Sequence, residues 1–379
     1  MAISLDLLTG KSRAPAECII TVDDTPLDDL YPVLVSVEVS TSRGEAAAAT
    51  LIFETRRFED GSWNVQDLDL LAPWAPIKIE AAFGERIEEV MRGFILRVDA
   101  DYPANPGETK LTVTCQDESL PLDRAHVREQ WGADGPLSDG VILATISGRH
   151  NLAPHPDSAD GQQGLSINQD DTDIKFLKER AEANGYELIF REGTVYFGPM
   201  RLTLAPQDNI MVYAGRDTNC INFSLTDDGH LPDKVAYDIA AREGDQNESE
   251  EIEPDLELLG TTPATSADSG LGDFVWRLSR SGESTPEEAA ARALAKANEN
   301  AMKITATGEL DGTLYGHVLR VGEPVGVDGI GQRYGGIYYV DTVNHRFDID
   351  GYRQTFTLLR NAYGDNLESS GGGVLSAVL

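Results

Sequence analysis

The stretch GGIYYVDTVNHRFDIDGYRQTFTLLRN, residues 335–361, concentrates one histidine, several aspartates and an Asp-Gly pair in a short window. Read as a strand from Ile337, it alternates side chains between two faces. One face then carries Ile337, Tyr339, Asp341, Val343, His345 and Phe347, and the other carries Tyr338, Val340, Thr342, Asn344 and Arg346. Asp341 and His345 share a face but lie roughly 13 Å apart at the rise of a strand, so they cannot hold one metal ion without a bulge.

A calcium loop is the second chemical interpretation of this stretch. Such a loop needs acidic residues at its positions 1, 3 and 5 and a glutamate at position 12. Aligning Gly351 with the invariant glycine places Arg346 at position 1 and Thr357 at position 12. Neither position therefore carries the acidic residue that a calcium loop requires. Asp350-Gly351 between two alternating runs instead predicts a β-hairpin turn.

Length and charge limit the class of protein. The 379 residues exceed one ordinary core and predict two or three domains, and 41% hydrophobic residues are enough to fill them. With 64 acidic and 31 basic side chains, the formal charge of −33 argues against electrostatic binding of nucleic acid. The start MAISLDLLTGKSRAP does not resemble a signal peptide, and no apolar run approaches the length of a membrane helix, so we expect no stable membrane insertion.

The three cysteines, Cys18, Cys115 and Cys220, form no metal-ligand spacing. An odd number without such a spacing predicts free, mostly buried thiols in a reducing cytosol.

The first third of the chain is predicted to consist of β-strands. Short β-branched runs are separated by Gly, Pro and Asp, with no helix between them, which predicts a barrel or a sandwich. The predicted strands are Ala16–Val22, Val33–Ser40, Ala49–Glu54, Pro76–Phe83, Val90–Val98 and Thr109–Cys115.

The middle third is predicted to contain two helices and a hairpin. The segment Leu137–Leu152 has Ser138 or Asp139 as its N-cap. The next helix is capped by Asp171 or Thr172, carries an apolar stripe and ends at Asn184-Gly185 in a left-handed C-cap. The stripe consists of Ile174, Leu177 and Ala181, and the strands YELIF and TVYFGP follow, joined by Arg191-Glu192-Gly193.

The last third returns to β structure, beginning with Ile221–Asp228 and Asp233–Ala240. Residues 244–270 hold a run of acids and are predicted to form a solvated loop. In STPEEAAARALAKANENAMKI, Thr285 with Glu288 at the third helical position is a capping box that opens an alanine-rich helix.

A weak internal repeat links the two β regions. Gly93-Phe94 begins one predicted strand and Thr112-Val113-Thr114 follows 19 to 21 residues after Gly93; Gly336-Ile337 and Thr355-Phe356-Thr357 show the same spacing. The repeat predicts two related β domains around the helical middle.

Catalytic motifs are missing from the sequence. It contains no G-x-S-x-G, no P-loop and no H-E-x-x-H, and its six histidines show no ligand spacing. We therefore predict a protein that is not an enzyme and needs no metal or cofactor. The 64 acids leave a glycosidase-type carboxylate pair open.

Taken in order, several segments resemble the baseplate hub proteins of contractile tails, the phage late-control protein D family, and the hub portion of VgrG-type spikes. The segments are DDTDIKFLKERAEANGYELIFREGTVYFGP (170–199), VLRVGEPVGVDGIGQRYGGIYYVDTVNHRFDIDGYRQTFTLLRN (318–361), MRGFILRVDADYP (91–103) and TKLTVTCQDESLPLDR (109–124). Together they extend from residue 91 to residue 361, and their order and separation, rather than any single motif, carry the resemblance.

The resemblance implies a mainly β fold with a smaller α+β part: two tube-type β-barrel domains flanking a helix-containing middle region. The implied limits are 1–120 for the first tube-like barrel, 121–205 for the middle domain, 206–365 for the second barrel with the acidic loop 244–270, and 366–379 for a Gly-rich tail. Three copies would form a ring whose six tube domains mimic one hexameric layer of the tail tube.

The same resemblance implies the partners. They are the tail tube protein or a tube initiator, a separate spike protein and baseplate wedge proteins, in a virion or injection-particle baseplate assembled in the bacterial cytoplasm. DNA or cargo would only pass through the channel, which an acidic chain could line with negative charge. The apolar end of the chain is the candidate surface for the spike, with Val374, Leu375, Val378 and Leu379.

Two alternatives stay open from the sequence. One is a carboxylate-based carbohydrate hydrolase of a virion, acting on peptidoglycan. The other is a hexameric tail-tube or tube-initiator protein, although such proteins have one β domain rather than two.

Overall fold

The computed structural model describes residues 15–239, 248–265, 270–279 and 286–367. The fold is mostly β, with one large curled half-barrel sheet and few helices, which confirms the predicted fold class. The Val374, Leu375, Val378 and Leu379 tip and Thr285 of the capping box lie outside the described residues.

Every strand predicted in the first third is present, because short alternating runs here do face a core on one side. The strands are β1 (Ala16–Val22), β2 (Thr25–Pro26), β3 (Leu34–Ser42), β4 (Ala48–Glu54), β5 (Pro76–Phe83), β6 (Arg86–Asp101) and β7 (Lys110–Asp117). The 16-residue β6 is nearly twice as long as predicted and pairs with β5 through its first half and β7 through its second.

The middle region contains both predicted helices and the hairpin. Its elements are β8 (His126–Trp131), α1 (Asp139–Arg149), β9 (Ala153–Pro154), β10 (Ile167–Thr172), α2 (Asp173–Asn184), β11 (Glu187–Arg191) and β12 (Thr194–Gly198). The Ser138 hydroxyl accepts from the Val141 N–H and caps α1, whereas Thr172 occupies the N-cap of α2 without a side-chain bond. Ile174, Leu177 and Ala181 are buried in the middle core, as their spacing predicted.

Gly185 is required at the end of α2 for two reasons. Its φ of +67° is the left-handed C-cap, and a Cβ there would lie 2.5 Å from Cβ of Ala295 in the following region of the chain. We expect Gly185→Ala to lower the free energy of unfolding by about 1–2 kcal/mol, measured by urea titration. Gly148→Ala is the matched control, because this helical glycine has open space around its Cβ position; it should be neutral or stabilising by up to about 1 kcal/mol. Equal effects of the two changes would contradict the packing argument.

The last third contains the remaining elements. They are β13 (Gln207–Met211), β14 (Cys220–Asp227), β15 (Lys234–Ile239), β16 (Glu248–Ile252), β17 (Thr262–Pro263), β18 (Val275–Arg277), α3 (Pro286–Ala301), β19 (Ile304–Asp311), α4 (Gly312–Tyr315), β20 (Pro324–Asp328), β21 (Gly336–Asp348), β22 (Gly351–Arg360) and β23 (Ala362–Tyr363).

The prediction that 244–270 is a solvated loop was wrong for Glu248–Ile252. These residues form β16, which pairs antiparallel with β15, while β18 pairs with the other edge of β15. The edge strand β16 tolerates its acidic residues because the side chains of Glu250 and Glu251 are exposed to water, and Glu250 accepts a hydrogen bond from the Tyr237 hydroxyl at 2.8 Å. Ile252 packs with α3 over the small sheet.

The opening stretch is the hairpin that its Asp-Gly pair predicted. Asp348 pairs with Gly351 at the tip, and Gly351 has a φ of +98°. The predicted division of faces was wrong, because a bulge at Asp341 shifts the register between Val340 and Thr342. Tyr338 and Val340 therefore lie in the same core as Val343.

All three cysteines are free, as predicted, and the structure places Cys115 and Cys220 in the interior. Burial raises the pKa of the Cys18 and Cys115 thiols to about 12 and that of Cys220 to about 11. The thiols are therefore protonated and unreactive at neutral pH.

Candidate assembly surfaces

Among the described residues, thirteen strands form one sheet that contains the same five-strand arrangement twice. The first module has the order β3-β4-β7-β6-β5, and the second has β14-β19-β22-β21-β20, with all neighbours antiparallel. The sixth strand differs, since β1 joins β5 antiparallel and β13 joins β20 parallel. We call the two arrangements the N-module and the C-module.

Bulges occur at matching positions in the two modules. Between the first two strands of each module, the register shifts at Val35 and at Ile221. Between the third and fourth strands in the spatial order, it shifts at Leu96 and at Asp341. Bulges are specific local features, so their coincidence indicates that the modules share detailed geometry as well as strand order.

The weak sequence repeat is half confirmed by these pairings. Thr114 pairs with Arg97 directly after one bulge, and Thr357 pairs with Thr342 directly after the other, so the two Thr-x-Thr runs are equivalent. The glycines are not equivalent. Gly93 lies inside β6, three residues before its bulge, while Gly336 begins β21, five residues before its own.

The modules are fused edge to edge within the chain. The second half of β21 pairs with β3, from Thr342 opposite Ser42 to Phe347 opposite Val37. We call this contact the internal seam. Thr41 adds a side-chain bond from its hydroxyl to the Val343 carbonyl at 3.1 Å.

Arg43 secures the end of the internal seam to the middle region. Its guanidinium pairs with Glu187 at 2.7 Å and with Asp341 at 2.6 Å, and Glu187 also accepts a hydrogen bond from the Tyr339 hydroxyl. Burial opposes the charge of Arg43, but these two carboxylates raise its pKa above the usual value. Asp341, one of the two polar residues that drew attention in the sequence, is therefore a structural ion-pair partner.

His345, the other such residue, is a buried neutral side chain. Its Nδ1 lies 2.8 Å from the Tyr352 hydroxyl, and burial, helped by the charge of Arg191, lowers its pKa to about 3. Within the described ranges, no group of three or more His, Cys, Asp or Glu side chains could hold a metal ion. The stretch builds the sheet and positions no reactive group.

Several strand edges lack a strand partner in the part of the chain that the structure describes, and two of them bear on assembly. β14 pairs with β19 on one side only, and the second half of β6 pairs with β7 on one side only. Exposed apolar side chains accompany both edges: Ile221 is 50% exposed, Leu96 38% and Tyr102, just after β6, 57%. Sequence reasoning missed these edges, since nothing in a strand's own residues shows whether its neighbour is present.

The solvent-facing side of the two modules is rich in hydroxyl groups. Five adjacent strands line one depression of about 600 Å³, whose walls include Ser40, Thr307, Asn344 and Thr355. Cross-strand pairs place the charged side chains of this face mainly toward its ends. The acids are Glu38, Glu54, Asp99, Asp101, Asp228, Glu309, Asp311 and Asp348, and the bases are Arg97, Lys110, Arg346 and Arg353.

The charge of this face bears on the channel hypothesis. The acids named above outnumber the bases by four, which is a small part of the formal charge of −33 that the chain carries. Across the described residues, no helix has the length and apolar character needed to cross a membrane.

Solved structures with a similar fold include tail and secretion proteins. A 43 kDa tail protein of prophage MuSo2 from Shewanella oneidensis superposes with a TM-score of 0.68 at 13% identity, covering 91% of this chain and 98% of that chain. A tail protein from Neisseria meningitidis gives 0.60 at 12% identity, with coverage of 91% and 96%. The Escherichia coli c3393 protein gives 0.52 at 10% identity, with coverage of 92% and 79%; it is described as a type VI secretion component similar in structure to the T4 bacteriophage tail proteins gp27 and gp5.

At these identities the likeness shows a shared fold across more than nine-tenths of the chain. No curated protein sequence gives a significant match. The model of one protein family, the Alg8 N-terminal domain, matches residues 13–348. Because that match spans most of the sequence, the chain belongs to the Alg8 N-terminal domain family.

Proposed function

We propose that this chain is a structural hub of a contractile phage tail or phage-tail-like injection particle. It forms a trimeric ring that adapts a hexameric tail tube to a trimeric spike. The observation that carries the proposal is the duplicated module: two like modules are already fused edge to edge in one sheet. Each module also keeps one open edge at the position that the internal seam uses in the other module, which is β14 in the C-module and the second half of β6 in the N-module.

Open edges favour closure with further copies. Exposed strand edges invite pairing, and a head-to-tail contact that closes on itself gives a ring in which no edge is left. With two modules per chain, three copies supply six modules, the number needed to match one hexameric tube layer. Two modules per chain also favour this hub over the alternative of a hexameric tube initiator with one β domain per chain.

The proposed partners follow from this geometry. One rim of the ring would meet the tail tube protein or a tube initiator, the other would carry the spike, and baseplate wedge proteins would surround it. The docking of Val374, Leu375, Val378 and Leu379 on the spike stays a prediction. DNA or cargo would pass along the hydroxyl-rich face, whose short neutral side chains offer few charges to a moving polymer.

The role needs no catalysis, metal or cofactor. A carboxylate-based peptidoglycan hydrolase is the competing function, and no observation on the described residues favours it. Purified protein should leave peptidoglycan intact, and release of muropeptides would support the competing function instead.

The mass in solution tests the proposal directly. Light scattering on a sizing column should give three times the 41.1 kDa chain mass, either alone or with the spike protein, and negative stain should show rings. A stable monomer in both samples would reject the hub.

A further inference from the structure

The duplicated geometry predicts how one copy joins the next, and this inference rests on the proposed ring. We infer that β14 of one copy pairs antiparallel with the second half of β6 of a second copy of this chain. The inferred register places Asp228 opposite Arg97 and Phe223 opposite Tyr102. We call this contact the external seam.

The matching bulges give the register. Ser42 lies seven residues after the bulge residue Val35, and Asp228 lies seven residues after the corresponding Ile221. Thr342 follows the bulge residue Asp341 as Arg97 follows Leu96. Since Thr342 pairs with Ser42 in the internal seam, the equivalent contact between copies pairs Arg97 with Asp228.

A second set of contacts confirms that the long strands are correctly aligned. Ile95 bonds through its N–H and carbonyl to Ala75 and Trp74, and Val340 bonds in the same way to Glu323 and Gly322. Trp74 and Gly322 share the uncommon left-handed backbone, with φ of +76° and +72°. A non-glycine residue in this region is rare, so the shared conformation is a specific marker of equivalent geometry.

The side chains suit this register. Arg97 is 68% exposed, and Asp228 is exposed at the end of β14, so opposite charges meet across the seam. Toward the core, Ala100 falls opposite Leu225 and Tyr102 opposite Phe223, which would cover exposed apolar surface. A shift by two residues would place Asp99 opposite Asp228, and directly opposed like charges disfavour it.

The external seam differs from the internal seam in the position of its charge pair. On the same face, the internal seam pairs Thr342 with Ser42, Asn344 with Ser40 and Arg346 with Glu38, whose charged groups lie 3.6 Å apart. The external seam has its arginine–aspartate pair at the first of these positions. Because both side chains of that pair are exposed, contact between copies should weaken as salt is added.

Disulfide trapping tests the register. Asp99→Cys with Thr226→Cys places the two thiols on directly opposed residues of neighbouring copies, within reach of a disulfide. Mild oxidation of the full chain should give covalent dimers and trimers on non-reducing gels. Asp99→Cys with Ser224→Cys is the matched control, on the same strands and face but two residues out of register, and should cross-link at least ten-fold more slowly. Each single variant controls for the native thiols.

A charge swap provides an independent readout. Arg97→Asp and Asp228→Arg should each reduce the ring population at least ten-fold at low salt, and the double variant should restore it. The external seam would be overturned, and the proposed ring left intact, by either of two results. Rings could form without a disulfide between positions 99 and 226, or the disulfide between positions 99 and 224 could form faster. A wild-type chain that forms no ring with or without the spike protein would overturn both.

Discussion

Replacing Arg360 by methionine is expected to destabilise the chain by roughly 3–5 kcal/mol, because the guanidinium is fully buried and bonded to four backbone carbonyls. It donates to the carbonyls of Leu259, Tyr334, Gly335 and Gly364, at 3.1, 2.6, 2.8 and 2.6 Å respectively. Removing it would leave buried acceptors without donors, each at a cost of about 1–3 kcal/mol.

This arginine also organises the end of the C-module. From the last residue of β22 it reaches three separate segments, around Leu259, Tyr334 and Gly364, and stacks 5.0 Å from the Tyr338 ring. Lysine cannot reproduce the planar set of five donors, so Arg360→Lys should also destabilise, though less than methionine.

Urea unfolding of the variants measures the effect. Arg353→Met is the matched control on the same strand, because Arg353 is part-exposed and forms one ion pair with Asp311 at 3.1 Å. It should cost at most about 1 kcal/mol. Equal losses of unfolding free energy in the two methionine variants would contradict a large stabilising contribution from the four carbonyls around Arg360.

Acid should destabilise the wild-type chain through His345. Its pKa is lowered to about 3 in the folded chain, against about 6.5 when exposed. Between these values the unfolded chain binds a proton that the folded chain does not. The contribution is therefore complete above pH 6.5 and is lost as pH falls toward 3, at about 1.4 kcal/mol per pH unit.

The matched variant is His345→Gln, which keeps a hydrogen-bonding group near the Tyr352 hydroxyl and removes the titration. From pH 7 to 4.5, the wild type should lose roughly 2–3 kcal/mol more than this variant in urea unfolding. The carboxylates of the chain affect the unfolding free energy of both proteins alike. The difference in pH dependence between the two proteins therefore reports on the histidine alone. His230→Gln, at an exposed position, should keep the wild-type dependence. The same pH dependence in His345→Gln and wild type would contradict a buried neutral His345.

Local patterns determined much of the fold. The strands of the N-module, both middle helices, the Gly185 C-cap and the Asp350-Gly351 hairpin follow from alternation, helical spacing and turn chemistry, which depend on residues close in sequence. The resemblance carried by residues 170–199 and 318–361 led to the fold shared with tail proteins. The acidic segment misled us at Glu248–Ile252, since charge indicates contact with water but does not distinguish a loop from an edge strand.

The pairing of the strands could not be predicted from local patterns. The bulge at Asp341 exchanged the faces of the opening stretch, and a bulge depends on the partner strand. The internal seam joins residues some 300 positions apart, and the open edges of β6 and β14 exist only because no described strand lies beside them. Local patterns in the sequence therefore specify the strands and their turns. The structure was needed to show the order of the strands, the duplication and the edges that are open to a second copy. Strand pairing depends on residues far apart in the sequence, so no local pattern predicts it.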